Sequence, residues 1–222
     1  MWIPYIVLTV YFVFSFRCNS SLPLCWRGMN KAVHIIDEGG AATSALHPLR
    51  LQILSELTEP ESAAGLARRM GVPRQQVNYH VRQLEEQGLV QLVGERRVRN
   101  CVERLVQAVG RSYMINPAAL GGLGADPERI EDKASASYLL AVASQMIQDL
   151  AGLQHRTPQG DPDALTLALR TDVRFKSQEA QTTFAAELAD EVARLVAKYH
   201  SAQASKGRLF RVHASAYPVP PG

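Results

Sequence analysis

The chain has 222 residues, which allows one large domain or two small ones, each with its own core. A hydrophobic content of 46% excludes a largely disordered chain. The formal net charge of +3 does not by itself indicate a nucleic-acid partner. Its distribution is more informative, because residues 44–116 contain ten arginines and seven glutamates, with no lysine or aspartate. Residues 117–222 contain eleven basic and twelve acidic residues, so the positive excess lies in the first of these segments.

The residues with catalytic or metal-binding chemistry form no recognisable set. Cys18, Cys25 and Cys101 make neither a C-x-x-C pair nor a zinc pattern, and the six histidines are scattered. There is no Ser–His–Asp grouping, no pair of acids and no phosphate-binding glycine loop. We therefore predict a cytoplasmic protein that is not an enzyme, with no catalytic residues, no cofactor and no metal.

Residues 1–16 are apolar and carry no charge. A signal peptide requires basic residues before the apolar run, and a membrane-spanning helix requires about 20 apolar residues. Three interpretations stay open for residues 1–28: an extension upstream of a natural start at Met29, a membrane anchor, or a packed or disordered segment. The change in composition across Met29 favours the first, so a membrane partner is not expected.

The next elements are predicted to be helical. Residues 30–38 favour a short helix that Gly39 and Gly40 would end. Residues 46–57 favour a second helix, with Pro48 in its first turn. A loop over residues 58–61 follows.

Residues 62–89 have the pattern of a helix, a tight turn and a second helix. Ser62 is a good N-cap, and Gly71 stands where a left-handed residue would end the first helix. In the second helix, residues 73–87, apolar residues at helical spacing are expected to face the core: Val77, Val81 and Leu84. The opposite face carries side chains able to reach base edges and phosphates: Arg74, Gln75, Asn78, Tyr79 and Arg82. The alternative is a helical hairpin with an ordinary solvated polar face.

Residues 89–108 change to the alternation typical of strands and predict a β-hairpin. Near its tip lie Arg96, Arg97, Arg99 and Asn100. Such a hairpin after a basic helix is a wing, whose arginines would enter a minor groove or hold flanking phosphates. The alternative is that these charges serve only solubility.

Four segments are distinctive: HPLRLQILSEL, AAGLARRMGV, QQVNYHVRQLEEQGLV and ERRVRNCVERLVQA. Together they resemble the arsenical-repressor-like (ArsR-like) winged helix-turn-helix transcriptional regulators. The resemblance covers about residues 45–116. It implies base or backbone contacts from Gln75, Gln76, Asn78, Tyr79 and Arg82, and it implies that His80 supports the helix. Metal-sensing members carry a cysteine pair near the recognition helix or paired Asp/His ligands on a late helix. Neither is present here, so the resemblance is to a type that does not sense metals.

Beyond the wing, residues 111–115 suggest a short strand and residues 117–126 a linker. A long helix is predicted from residue 127 to about residue 155. Its apolar residues recur at spacings of four and three and form a seam: Leu139, Ala143, Met146, Leu150 and Leu153. We expect this seam to pair two copies of the chain, because operators are commonly read by two-fold dimers. A core-facing helix would have a similar pattern.

Residues 156–163 suggest a second linker. Leu165, Leu167 and Leu169 alternate as in a half-buried strand, residues 178–200 favour an amphipathic helix, and residues 207–218 favour a last strand. We expect the strands to pair with the partner subunit or with strand residues not evident from the pattern. Four charged residues of this region would line a small-molecule effector pocket or lie on the solvated side of a strand: Arg170, Asp172, Arg174 and Arg211.

The prediction is an α+β chain with four parts. They are an apolar extension (residues 1–28), a winged helix-turn-helix DNA-binding domain (29–116), a linking or dimerisation helix (127–155) and a C-terminal α/β effector or dimerisation module (162–222). A homodimer would read double-stranded DNA as a regulator, and the resemblance implies a repressor. The alternative is a winged-helix module that binds a protein or small molecule without sequence-specific DNA binding. The predicted DNA-binding residues are Arg68, Arg69, Arg74, Gln75, Gln76, Asn78, Tyr79, Arg82, Arg96, Arg97, Arg99 and Asn100.

Overall fold

The structure is a computed structural model that describes residues 9–12, 31–98, 101–156, 167–203 and 207–219. In these ranges the regular elements are β1 (Thr9–Phe12), β2 (Lys31–Ile36), α1 (Gly39–Ala45), α2 (Pro48–Glu56), β3 (Glu61–Ser62), α3 (Ala63–Met70), α4 (Arg74–Glu86), β4 (Val90–Val98), β5 (Cys101–Ala108), β6 (Gly110–Ile115), α5 (Ala136–Arg156), β7 (Leu167–Arg170) and α6 (Gln178–Tyr199). They form two compact units. The first contains the elements from β2 to α5, and the second contains β1, β7 and α6.

The core of the first unit lies where α1 to α4 meet β4 and β5. Large apolar side chains from these elements are fully buried there, namely Ile53, Leu57, Leu66, Val77, Leu84, Leu89 and Val106. Burial of each such side chain contributes about 1.5–3 kcal/mol. The core therefore fixes α4 relative to α2 and α3.

Residues 30–38, predicted as a helix, contain strand β2 instead. β2 pairs in parallel with β6, which confirms the strand predicted over residues 111–115. The helix prediction was wrong because the strand's partner is remote in sequence, so the local pattern did not reveal it. The β-branched Val33, Ile35 and Ile36 suit a strand.

Gly39 and Gly40, predicted to end a helix, are the first residues of α1. Ala41, Ala42 and Ala45 of this helix are buried in the core. Their small side chains allow the helix to pack closely. The next helix, α2, begins at Pro48 as expected, and His47 caps it by accepting a hydrogen bond from the Leu49 amide at Nδ1, 3.2 Å away.

A β-hairpin follows α4, as predicted. β4 and β5 pair antiparallel from Val90 opposite Ala108 to Val98 opposite Cys101, with an irregularity between Leu92 and Gly94. The two-residue strand β3 adds to the free edge of β5, so the order in this sheet is β3-β5-β4. This pairing brings the start of α3 next to the hairpin.

The long helix α5 begins at Ala136, later than the predicted start at residue 127. A 3₁₀ turn, Pro127–Arg129, occupies the predicted first turn. Asp132 Oδ1 then accepts a hydrogen bond from the Ala134 amide at 3.0 Å, and Ser135 Oγ accepts one from the Tyr138 amide at 3.1 Å. The Asp132 bond favours a turn, and the Ser135 bond caps the first turn of α5, so the helix begins at Ala136.

Helix α5 has two different faces. Ala141, Ser144 and Ala151 are buried, whereas Met146 and Leu150 of the predicted seam are 48% and 40% exposed. The seam lies about half a turn round the helix from the buried face. Near the end of α5, His155 Nε2 is 2.6 Å from Asp37 Oδ2, so this contact joins the helix to the residue after β2.

In the second unit, β7 pairs antiparallel with β1. The expected strand partner therefore lies in the apolar N-terminal region of the same chain. Leu167 and Leu169, predicted to be half-buried, are exposed, so that prediction was wrong; Leu165 lies outside the described residues, as do residues 157–163 of the predicted linker. Helix α6 is present as predicted, with Ser177 as its N-cap.

Residues 207–219 have no regular secondary structure, so the predicted last strand at 207–218 is wrong. Apolar alternation makes a strand possible, but a strand forms only where another strand's hydrogen-bonding edge is available. No helix in the described part of the chain combines the length and hydropathy needed to cross a bilayer.

Candidate nucleic-acid interface

The turn between α3 and α4 is built as its sequence predicts. Ser62 is extended, and its Oγ accepts a hydrogen bond from the Gly65 amide at 3.0 Å, which caps α3. Gly71 ends α3 with φ of 66°, a left-handed conformation that favours glycine. Pro73 immediately precedes α4, so the second helix starts at Arg74.

The inner face of α4 is buried against the core. Val77, Val81 and Leu84 are at most 3% exposed, as the sequence predicts. His80 is also buried, and its Nδ1 accepts a hydrogen bond from Arg50 Nε of α2 at 3.3 Å. Burial, followed by the charges of His47 and Arg50, lowers the pKa of His80. The ring is therefore neutral and ties α4 to α2.

The outer face of α4 is open to solvent. Its exposed side chains are Arg74, Gln75, Gln76, Asn78, Tyr79 and Arg82. Tyr79 is 57% exposed and lies edge-on to the His80 ring, with 5.2 Å between the ring centroids. Within the described ranges, neither Arg74 nor Arg82 makes an ion pair. The face thus offers guanidinium and amide groups, the groups that recognise base edges and phosphates.

The hairpin is attached to α4 by a contact that the sequence did not reveal. Arg104 Nη2 of β5 donates a hydrogen bond to Glu85 Oε1 of α4 at 2.6 Å. Glu85 is half-buried and lies near the end of α4, one turn beyond Arg82. The ion pair therefore links hairpin and helix without using the exposed groups.

The two described arginines predicted near the hairpin tip have different surroundings. Arg96 Nη2 lies 3.2 Å from Glu61 Oε1 and 3.1 Å from Glu103 Oε2. A hydrogen bond to Glu103 and the charges of Glu61 and Glu103 raise the pKa of Arg96, while hydrogen bonds from Ser62 and Arg96 lower the pKa of Glu103. Arg97 is exposed and makes no ion pair with another described residue. Arg99 and Asn100 lie outside the described residues.

The two arginines near the end of α3 also differ. Arg69 Nε is 2.6 Å from Glu56 Oε2, and its Nη1 is 3.7 Å from Glu61 Oε2. Arg68 is exposed and has no ion-pair partner among the residues the structure describes. Two of the predicted site residues, Arg69 and Arg96, are therefore engaged within the chain, and both contact Glu61.

Three residues that organise this surface were not predicted from the sequence: Glu61, Glu85 and Arg104. No local spacing relates Glu61 to Arg96, which are 35 positions apart, so only strand pairing brings them together. The described ranges contain no group of three or more His, Cys, Asp or Glu side chains able to hold a metal ion.

A family model described as a helix-turn-helix domain matches residues 45–93, which run from the end of α1 into β4. No curated protein matches the chain. The matched segment includes α3, the Gly71 turn and the whole of α4 with its exposed face. Together, the family match and this geometry support a helix-turn-helix DNA-binding domain, of the kind that regulators carry.

Proposed function

We propose that the chain is a transcriptional repressor of the ArsR-like winged helix-turn-helix type that does not sense metals. The observation that carries the proposal is the exposed outer face of α4. It displays Arg74, Gln75, Asn78, Tyr79 and Arg82, while the opposite face of the same helix is buried. An exposed helix with these side chains can enter a major groove and read base edges.

The proposed DNA contact of each side chain follows from its chemistry. Asn78, Gln75 and Arg82 contact base edges and supply sequence choice. Arg68, Arg74 and Arg97 contact phosphates and supply affinity that depends on salt concentration. The β4–β5 hairpin acts as the wing, and Arg97 lies on its exposed surface.

We further propose that the regulator acts as a homodimer paired through the seam of α5. The seam consists of Leu139, Ala143, Met146, Leu150 and Leu153. Four of these side chains are exposed, although the opposite face of α5 is packed on its own unit. An exposed apolar face on a helix can pack against the same face of a second chain. A two-fold interface requires such a self-complementary contact.

The second unit is proposed as an effector or dimerisation module. Arg170, Asp172, Arg174 and Arg211 are exposed there and remain the predicted contacts for a charged small molecule. β7 and α6 are the regular elements that would carry such a site together with residues 171–177.

The decisive experiment is binding of the full chain to DNA from upstream of its own gene, measured by fluorescence anisotropy across a salt series. We expect specific binding that is tighter than binding to a shuffled duplex of the same composition, with affinity that falls as salt rises. Equal affinity for both duplexes would contradict sequence-specific regulation. Absence of binding to either would favour the alternative, a winged-helix module that recognises a protein or a small molecule.

A further inference from the structure

Glu61 lies at the junction of α3 and the hairpin. It belongs to β3, directly before the capping residue Ser62, and it is opposite Val106 of β5. Its Oε1 is 3.2 Å from Arg96 Nη2, and its Oε2 is 3.7 Å from Arg69 Nη1. One carboxylate thus contacts two of the predicted DNA-binding arginines, one from α3 and one from the hairpin.

The position of this carboxylate is fixed by the first turn of α3. Oε1 accepts a hydrogen bond from the Ser62 amide at 2.7 Å. Gly65 provides the space, because a Cβ added at residue 65 would lie 2.4 Å from the same Oε1 atom. The positive end of the helix also favours a negative charge at this place. Glu61 is therefore held over α3 and is also bonded to Arg96.

Two further carboxylates complete the cluster. Glu103 Oε2 is 3.1 Å from Arg96 Nη2, and Glu56 Oε2 is 2.6 Å from Arg69 Nε. Arg68, Arg74, Arg82 and Arg97 have no such partner within the described ranges. Glu61 is the one described carboxylate within ion-pair distance of both Arg69 and Arg96.

We propose that Glu61 tunes the affinity for DNA by withholding Arg69 and Arg96 from the phosphates of the DNA backbone. This inference rests on the proposed function of DNA binding. Phosphate contacts carry no sequence information, so each one that is withheld weakens binding to every sequence alike. Contacts from Asn78 and Arg82 to base edges are unaffected, so the discrimination between sequences that they supply is unchanged.

The ion pairs that hold the two arginines are partly exposed to solvent, and such pairs are weak. A correctly placed phosphate can replace Glu61 as the partner of either guanidinium. Glu61 therefore acts as a competitor of the DNA backbone at the edge of the interface.

The test uses the full chain and a duplex of mixed sequence, with anisotropy measured over a salt series. We expect Glu61→Gln to bind this duplex about threefold more tightly and to steepen the salt dependence by roughly one phosphate contact. Glu59→Gln is the matched control, because it changes the net charge equally two residues away. Glu59 is exposed and, among the residues described, is in no ion pair. We expect it to leave the salt slope unchanged.

A second variant displaces the carboxylate without changing the charge. In Gly65→Ala the new methyl group would lie closer to Glu61 Oε1 than van der Waals contact allows, so the carboxylate must move. We expect the salt slope to steepen as in Glu61→Gln. Thermal unfolding of each variant establishes that it is folded, so the proposal does not depend on a single substitution.

The role of Arg96 is tested by a double-mutant cycle. Arg96→Ala is expected to change wild-type binding little, because the side chain is already engaged, and to remove much of the gain in the Glu61→Gln background. An equal loss in both backgrounds would overturn the proposal, as would a Glu61→Gln slope that matches Glu59→Gln. If the wild-type chain binds neither the mixed duplex nor its upstream DNA, the proposed function itself fails, which is a different outcome.

Discussion

Arg50 Nε in α2 donates a hydrogen bond to His80 Nδ1 in α4, across 3.3 Å. The guanidinium also donates to the Ser44 hydroxyl at the end of α1, so one side chain joins three helices. The bond requires an unprotonated Nδ1, and burial together with the charges of His47 and Arg50 lowers the pKa of His80 accordingly. The orientation of α4 therefore depends on a neutral histidine.

Acidification is expected to destabilise the first unit through His80. A histidine with a lowered pKa binds more protons when unfolded, so its stabilising contribution is complete above the ordinary pKa of about 6.5 and decreases as the pH falls. His34, whose pKa is lowered by burial and by Lys31, contributes in the same direction. Urea unfolding at about pH 7.5 and about pH 5.5 measures the effect. His80→Gln, which keeps an acceptor for Arg50, should lose less stability on acidification, and an identical loss would contradict this assignment.

Ser62→Ala should lower the free energy of unfolding by about 1 kcal/mol, because it removes the cap of α3. Ser62 is 2% exposed, so water cannot replace its bond to the Gly65 amide. The matched control is Ser55→Ala. Ser55 is exposed in α2, and its hydrogen bond among the described residues lies within its own helix, to the Gln52 carbonyl at 2.8 Å. Chemical denaturation of both variants is the measurement, and equal losses would argue against the cap.

Gly110→Ala should destabilise the first unit by about 1–3 kcal/mol, since a side chain at this position overpacks the β2–β6 pair. An added Cβ would lie 2.6 Å from His34 Cβ and 2.9 Å from the Ser112 carbonyl oxygen. Backbone atoms cannot move away as a flexible side chain can. Gly94→Ala in β4 is the control, because a Cβ there meets no atom of the described residues within 4 Å. A thermal melt of Gly110→Ala that matched wild type would show that β2 and β6 are not paired as described.

Asn78→Ala and Arg82→Ala should each relax base preference at one operator position by about 1–3 kcal/mol. Both side chains are exposed on the outer face of α4. Arg97→Ala should instead weaken binding to all sequences similarly and reduce the salt slope. Competition binding with a library of single-base operator variants distinguishes the two results. Unchanged preference in both α4 variants would refute the assigned recognition face.

Leu150→Lys should convert the proposed dimer into a monomer. Leu150 is 40% exposed in one chain, so lysine there leaves the chain's own core intact but places a charge inside the seam. Light scattering after size-exclusion chromatography gives the mass. Gln145→Lys introduces the same charge on α5 away from the seam and should remain dimeric. A wild-type chain that is already monomeric would exclude the seam as a dimer interface.

The sequence by itself determined the local structure of the helix-turn-helix. Ser62, Gly71 and the apolar spacing of Val77, Val81 and Leu84 act within a few residues, so the positions of caps, turn and buried face follow from short-range rules. The outer face of α4 was predictable for the same reason. Helical geometry alone places Asn78 and Arg82 opposite the buried residues.

Only the tertiary structure decided which strands pair and which charges meet. Residues 30–38 were predicted as a helix because their strand partner β6 is remote in sequence and the local pattern does not indicate it. Residues 207–218 were predicted as a strand, although no β-ladder forms there. The contact of Glu61 with Arg96 depends on the pairing of β3 with β5 and of β5 with β4. Ion pairs of this kind are set by side chains that converge from different elements. Their positions follow from the packed fold, and no local periodicity encodes them.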